Sequence, residues 1–414
     1  MNSFALRRYA FSISAAAALL AGCGGSEPPI GAPEPLVRRA TSNYQVIYSF
    51  QGGNDGVFPA SWAAPLAVLN DELYGTTEGG GGSSCRLQGG CGTVFKTSTS
   101  GSESVIYGFQ APNDGSIPDG PVVRFDRAWY GTTNQGGANG YGAIFAINAS
   151  GRERIIHSFS GGSGDGAYPF GQLFAFRHVL YGTTSAGGSA ALGTVYKLKP
   201  SGGVQILHSF TSNGDGASPR AGLIALDGML YGTTMFGGDS LCIREYPGCG
   251  TVYSISTSGV EKVIYKFKGG RDGAIPQAPL TAIAHNLYGT TWIGGGQGYL
   301  GTAFKLSLSG KVRVLHRFSE YGVDGYNPDS ALFDLNGTLY GTTSIGGKSG
   351  DGVVFSLTTS GTESILHAFG PTPDGDSPNG VTAIGNTLYG TTTAGGTGRC
   401  YYPTGCGTIF SLTL

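Results

Sequence analysis

Residues Leu230–Ile255 read LYGTTMFGGDSLCIREYPGCGTVYSI, and the first five letters decide the fold. Tyr-Gly-Thr-Thr begins at Tyr74, Tyr130, Tyr181, Tyr231, Tyr288, Tyr340 and Tyr389, seven times in a chain of 414 residues. Three further landmarks keep step with it. Asp-Gly-x-x-Pro precedes each copy, a Gly-Thr-Val-Phe-like run follows, and an Ile-Leu-His-Ser-Phe-like run closes the unit. Asp to Pro is always four residues, and the Gly of the third landmark stands seventeen before the closing Phe in six copies. The period of about 52 residues lies in the range of propeller and solenoid arrays.

Each landmark belongs to a strand. PLAVL (65–69), LYGTT (73–77), GTVFKTS (92–98) and SVIYGF (104–109) are short apolar or β-branched runs separated by turn residues. The first and last connectors suit tight hairpins. Beyond the N-terminal segment no 3.6-residue period is sustained, so no helix is expected. A lone four-stranded sheet cannot cover both faces, whereas seven arranged radially cover one another. The array begins with a fourth strand, YQVIYSF (44–50), and finishes with a third, GTIFSLTL (407–414). Each end supplies what the other lacks. The expected fold is therefore all-β: a seven-bladed β-propeller of four-stranded blades, closed by the N-terminal strand pairing with the C-terminal blade.

The succession Leu-Tyr-Gly-Thr-Thr, Gly-Gly, Gly-Thr-Val-Phe-Lys, Ser-Gly, Leu-His-Ser-Phe, Asp-Gly resembles the GloVer tandem-repeat family of bacterial surface proteins across residues 44–414. That resemblance implies a propeller-like fold and a membrane anchor, and no particular chemistry.

The N-terminus supplies an address. Arg7 and Arg8 precede an apolar run from Ala10 to Leu20, which at about eleven residues is too short to span a bilayer. It ends in Leu20-Ala21-Gly22-Cys23, which resembles the lipobox of bacterial lipoproteins. The resemblance implies lipidation of Cys23 and, with Gly24 rather than Asp next, sorting to the outer membrane. The expected organisation is a signal peptide at 1–22, a lipidated Cys with a Gly/Pro/Ser-rich linker at 23–43, and the propeller at 44–414. Periplasmic and surface-facing orientations stay open.

The other six cysteines follow loop length. From the repeated Tyr to the next strand Gly is 12 or 13 residues in units two, three, five and six, but 18, 19 and 18 in units one, four and seven. Each long loop holds one pair: Cys85 with Cys91, Cys242 with Cys249, Cys400 with Cys406. Three intraloop disulfides, formed in an oxidising compartment, are expected. Antiparallel strand order puts these loops and the Asp-Gly turns on one rim around the central channel.

Composition narrows the chemistry. Charged residues are 12% of the chain against the ~25% of ordinary domains, and formal net charge is −1. No basic stripe is available for a phosphate backbone, so nucleic acid is not an expected partner. The Asp before each Gly lacks the alternating oxygen ligands of a calcium loop, so calcium is weighed and set aside for turn capping, and no cofactor is expected. His157, His208, His316 and His367 share a repeat position with Tyr48, Tyr107 and Tyr265, which asks for a ring with a polar tip rather than a ligand. His178 and His285 fall in hairpin turns. The residue after each repeated Pro varies while its neighbours repeat: Ala60, Asp119, Phe170, Arg220, Gln277, Asp329 and Asn379. With Trp62, Trp292 and Tyr246 these form the candidate ligand rim, and Tyr141, Tyr299, Tyr401 and Tyr402 add loop aromatics. The expected function is non-catalytic binding of a glycan or envelope protein by a monomer that meets the membrane only through its lipid. An envelope assembly scaffold, or a glycan-active hydrolase or lyase at the channel mouth, are the alternatives.

Overall fold

The computed structural model describes residues 43–414 apart from 60–64, 83–84, 86–88, 200, 212, 239–241, 243–245, 297–299, 320–323 and 401–404. The expectations at Cys23, Ala60, Trp62, Tyr299, Tyr401 and Tyr402, and those for the leader and linker, lie outside the described residues. Ser42–Leu414 forms one compact unit. It consists of seven antiparallel four-stranded blades, with a single 3₁₀ turn at Gly53–Asp55 and no α-helix among the described residues. In blade 4, for example, Ile224–Leu226, Met229–Thr234, Thr251–Ile255 and Glu261–Lys266 follow one another outward from the channel.

Closure occurs as the sequence implies. Asn43–Ser49 pairs antiparallel with Thr408–Thr413, so the first strand of the domain is the outermost strand of blade 7. The strand starts one residue before the expected boundary. Phe50 then donates its N–H to the Gly407 carbonyl at 3.0 Å, the bond that Phe109 makes to Gly92 and Phe369 to Gly352. The constant spacing from strand Gly to closing Phe is the loop this bond closes.

Each blade seam has its own apolar core. Between blades 3 and 4, Tyr181, Val195 and Phe210 meet Leu223, Leu230, Tyr253 and Ile255. Six further clusters fill the remaining seams, including the one that joins blade 7 to blade 1 through Phe50, Val57, Phe95 and Ile409. The Thr pair of each Tyr-Gly-Thr-Thr ties the framework. The first Thr reaches the next blade, as Thr76 Oγ1 to the Gly120 carbonyl at 3.0 Å and Thr183 to Ala221 at 2.9 Å. The second is fully buried and meets a Thr of the third strand at 2.8 Å in five blades, as in Thr77–Thr93 and Thr184–Thr194. The Gly between Tyr and Thr admits a ring of its own blade: a Cβ on Gly75 would stand 2.5 Å from Phe95 Cζ, and one on Gly131 would stand 2.4 Å from Phe145 Cζ.

The inner hairpins are tight turns with two left-handed residues, such as Asn70–Asp71, Asp126–Arg127 and Arg177–His178. That is the backbone that type I′ hairpins require. His178 and His285 sit exposed in them, as expected.

Candidate functional site

The rim is built from the turns that lead into each inner strand. The residue before every repeated Pro has positive φ, from 54° at Phe58 to 59° at Ile275. A β-branched residue rarely adopts that conformation, so something must reward it. The reward is a bond across the seam. Ile117 donates to the Cys91 carbonyl at 2.9 Å, Ser218 to Leu192 at 2.8 Å and Ile275 to Cys249 at 2.9 Å. Beside it the Pro ring lies on the strand Gly of the preceding blade, where a Cβ on Gly92 would come within 2.4 Å of Pro118 Cδ. Pro and Gly, forty or more residues from their repeat equivalents, thus form one clamp seven times over.

The three disulfides join Cys85 to Cys91, Cys242 to Cys249 and Cys400 to Cys406. The second Cys of each pair is the clamp's acceptor residue and is buried in a seam core. These bridges therefore brace a blade joint as well as an added loop. The loops share a rim with the Asp-Gly turns: Gly188 donates to the Asp165 carbonyl at 2.7 Å and Gly396 to Asp374 at 2.8 Å.

The Asp of each turn is occupied by its own seam. Tyr48, Tyr107 and Tyr265 donate to Asp55, Asp114 and Asp272 at 2.7–2.8 Å. His157, His208, His316 and His367 place Nε2 3.1–3.2 Å from Asp165, Asp215, Asp324 and Asp374. Backbone N–H groups complete the cap, as Gly370 and Gly375 do on Asp374. Burial acts to raise Asp165 and Asp374, but the His contacts and backbone donors hold both below the usual carboxylate range. Four glutamates on outer strands press into these seams. Glu103, Glu153, Glu261 and Glu363 each bury one Oε1 without a hydrogen-bond partner. Burial, then the charge of Asp114 or Asp215, pushes Glu153 and Glu261 up to about 7. His316, Asp324 and Glu363 bring possible metal-ligating atoms within 4.8 Å of one another, although His316 and Asp324 already share the seam contact. In blade 7 the same outer-strand position is Tyr44, stacked on His367 at 3.5 Å.

The post-proline residues line the upper channel, but not as an open ring. Asp119, Gln277 and Asn379 are buried, while Phe170, Arg220 and Asp329 are half-buried. Asn379 is spent on the frame: its Nδ2 bonds the Pro59 carbonyl and Thr391 Oγ1, joining blade 7 to blade 1. Arg220 lies over the Phe170 ring at 4.6 Å. Burial first, then the charge of Glu78, raises Asp119 well above the usual range, and the Arg220 guanidinium opposes them. Burial raises Asp329 to about 7 against a bond from Ser344. Asp119 belongs to blade 2 and Asp329 to blade 6, so the two acids do not share a blade or a seam.

A second ring was missed from the sequence. Glu78, Ser344 and Thr393 each follow Tyr-Gly-Thr-Thr directly and lie against Asp119, Asp329 and Asn379. Variation behind an unvarying tetrad was the available signal. Further down, the inner strands of blades 3 to 6 line a cavity of about 370 Å³ with Leu173, Phe174, Leu223, Ile224, Leu280 and Phe333. On the outer rim Tyr246 stacks on Phe236 at 5.8 Å beside half-buried Trp292, and Tyr246 and Tyr141 are each 37% exposed.

The three bridges fit an oxidising compartment. No helix among the described residues is long and apolar enough to cross a membrane. The sequence profile described as the Gloeobacter/Verrucomicrobia repeat matches residues 36–246 and 178–410. No curated protein matches the chain. Among solved structures it is similar to a gluconolactonase of Xanthomonas campestris, at 14% identity and a TM-score of 0.42, with 91% of each chain covered. It is also similar to puromycin hydrolase, at 12% identity and a TM-score of 0.50, covering 83% of this chain and 51% of that one. At such an identity the likeness to puromycin hydrolase is one of fold alone.

Proposed function

The chain belongs to the Gloeobacter/Verrucomicrobia repeat family, and from that premise we propose a lipid-anchored, non-catalytic binding protein of the bacterial envelope that holds a glycan or envelope protein on its loop-rich rim. One observation carries the reading: the departures from the repeat collect there. The three bridged insertions, exposed Tyr141 and Tyr246, and the Glu78–Asp119–Arg220–Phe170 group all belong to the loops of one face. Exposed aromatic rings on braced loops suit sugar faces or peptide side chains. Asn379 is bonded into the frame and Asp119 and Gln277 are buried, so direct contact falls on Arg220, Phe170, Tyr246 and Tyr141.

A glycan array with the full-length chain tests this. Tyr246→Ala and Tyr141→Ala should each weaken the bound glycan about tenfold, as loss of a contact aromatic commonly does, without lowering Tm. Hairpin-face variants such as Asp71→Ala should bind normally, and the opposite pattern would refute the assignment. For the anchor, Cys23→Ala should release the protein from membranes and globomycin should block its processing; a protein that stays membrane-bound under both has no lipid at Cys23.

A further inference from the structure

On the face opposite the rim, where the tight hairpins lie, two clefts open on blade 2 and at its seam with blade 3. The first, of about 310 Å³, is lined by Ala128, Tyr130, Asn148, Arg152, Glu153 and Arg154. The second, of about 300 Å³, takes in Phe125, Asp126, Arg154, His178, Leu198 and Lys199. They share Tyr130 and Arg154 and adjoin there, as two halves of one depression parted by these side chains. Each lies at the lower end of the ~300–1,000 Å³ usual for small-ligand sites.

Its chemistry departs from that of the rest of this sparsely charged molecule. Arg152, Arg154 and Lys199 are exposed, and among the described residues none of them forms an ion pair. His178 adds a fourth nitrogen base at the edge. Against these stand Asp126 and Glu153. One oxygen of Glu153 is turned into the Asp114 seam, and burial holds its proton to about pH 7. The positions of Arg152 and Arg154 are Ser102 and Ser104 in blade 1 and Thr362 and Ser364 in blade 6, so the repeat does not require cations there, although blade 5 carries Lys311 and Arg313 at the same places without Tyr130 and Lys199 beside them in one cleft. The floor is aromatic: Tyr130 is half-buried and braced edge-on by Phe125 at 5.8 Å.

We infer that this depression is a second ligand site, for an oligosaccharide bearing carboxylate or sulfate groups. The guanidinium forks of Arg152 and Arg154 match planar or tetrahedral oxyanions, Lys199 supplies a point charge, and the Tyr130 ring offers a flat face for a pyranose. A bare phosphate would use the cations and leave the aromatic floor idle. A membrane surface would favour a convex patch over a recess.

The test is calorimetry on the full-length chain with oligogalacturonate, with a neutral malto-oligosaccharide of equal length, with inorganic phosphate and with phosphatidylglycerol vesicles. Oligogalacturonate should bind, weaken several-fold between 50 and 200 mM salt, and lose about tenfold or more in Arg154→Gln and in Lys199→Gln. Lys262→Gln, at the blade 4 position equivalent to Arg154, should bind like the parent, and Tyr246→Ala on the rim should leave this binding intact. Equal binding of the neutral sugar, binding of phosphate or vesicles without the oligosaccharide, or indifference to Arg154→Gln would each overturn the site. A rim that fails while this cleft binds refutes the proposed function and not the cleft.

Discussion

Blade 2 lacks a bond that five of the other blades make, while blade 6, with Val353 in place of the third-strand Thr, satisfies Thr343 on the Ile345 carbonyl at 3.0 Å. In five blades the second Thr of the tetrad meets a third-strand Thr at 2.8 Å, but opposite Thr133 the chain has Ala143. Thr133 Oγ1 is buried and has no partner. Ala143→Thr should repair it. Space is available: in blade 3 the corresponding methyl, Thr194 Cγ2, sits against Gly188, and blade 2 has Gly137 at that place, where even an added Cβ would stand 3.4 Å from Ala143 Cβ. An orphaned buried hydroxyl costs ~1–3 kcal/mol and a repaired bond is worth ~1 kcal/mol net, so a gain of about 1–2 kcal/mol is expected. With ~2.1 cal/mol/K per residue over roughly 370 ordered residues, ΔSm is about 0.8 kcal/mol/K, which makes the gain a rise of about 1–3 °C in Tm. Differential scanning calorimetry reads it. Thr133→Val should also be neutral or stabilising, whereas Thr77→Val, which breaks a partnered pair, should lower Tm. If Ala143→Thr lowers Tm, or if Thr133→Val and Thr77→Val behave alike, the ladder is not what holds these strands.

Three other outcomes are expected. Replacing Cys242 and Cys249 by Ala should cost about 2.5 kcal/mol from the eight-residue loop alone, near 3 °C, with a further loss because Cys249 is buried in the seam; a shift below 1 °C would deny the bridge any part in the joint. Stability should fall as pH rises from about 4.5 to 7, because Glu153 and Glu261 hold protons in the folded chain that the unfolded chain has already released. Asp165 and Asp374 act oppositely, their contribution being present above about 3.9 and lost in acid. Glu261→Gln should flatten the fall between pH 5 and 8, and an unchanged profile would contradict the burial assigned to that carboxyl. Deleting residues 43–50 should expose the edge of Thr408–Thr413 and empty the Phe50 pocket, producing aggregation and a steep loss of Tm; a soluble, equally stable deletion would mean that the ring does not depend on its closing strand.

Blade number, strand order, closure and disulfide pairing could all be read from spacing, because each is a periodic or local property. The interchange of Tyr48 with His157 was legible too, since each ring presents a polar atom to the Asp of its own turn, Asp55 and Asp165. What escaped depends on contacts across a seam, between residues distant in sequence. The left-handed residue before each Pro looks unremarkable in the chain, and only the carbonyl of the preceding blade explains it. The Gly of the tetrad states that room is needed without saying for whom, and at Gly75 the room goes to Phe95 of the same blade. The candidate rim was legible as a place and not as a surface. Variation after the repeated Pro marks a ring of positions, but not that Asp119, Gln277 and Asn379 would be buried or that Asn379 would bond the next blade. The cationic depression on the opposite face left no mark in the repeat beyond two arginines at positions that blades 1 and 6 fill with hydroxyls and blade 5 with Lys311 and Arg313.

The closing strand has one more consequence, a mechanical one. Asn43 pairs with Thr413 at the hairpin face and Ser49 with Thr408 at the rim, so the chain comes into the propeller on the side away from the bridged loops. A tug on whatever precedes Asn43, opposed by something gripped at the rim, would load this strand along its own length. Six residue pairs and the Tyr44–His367 stack would then resist in shear and yield together, rather than peeling one at a time. The seam that completes the ring is also the one that would bear the force.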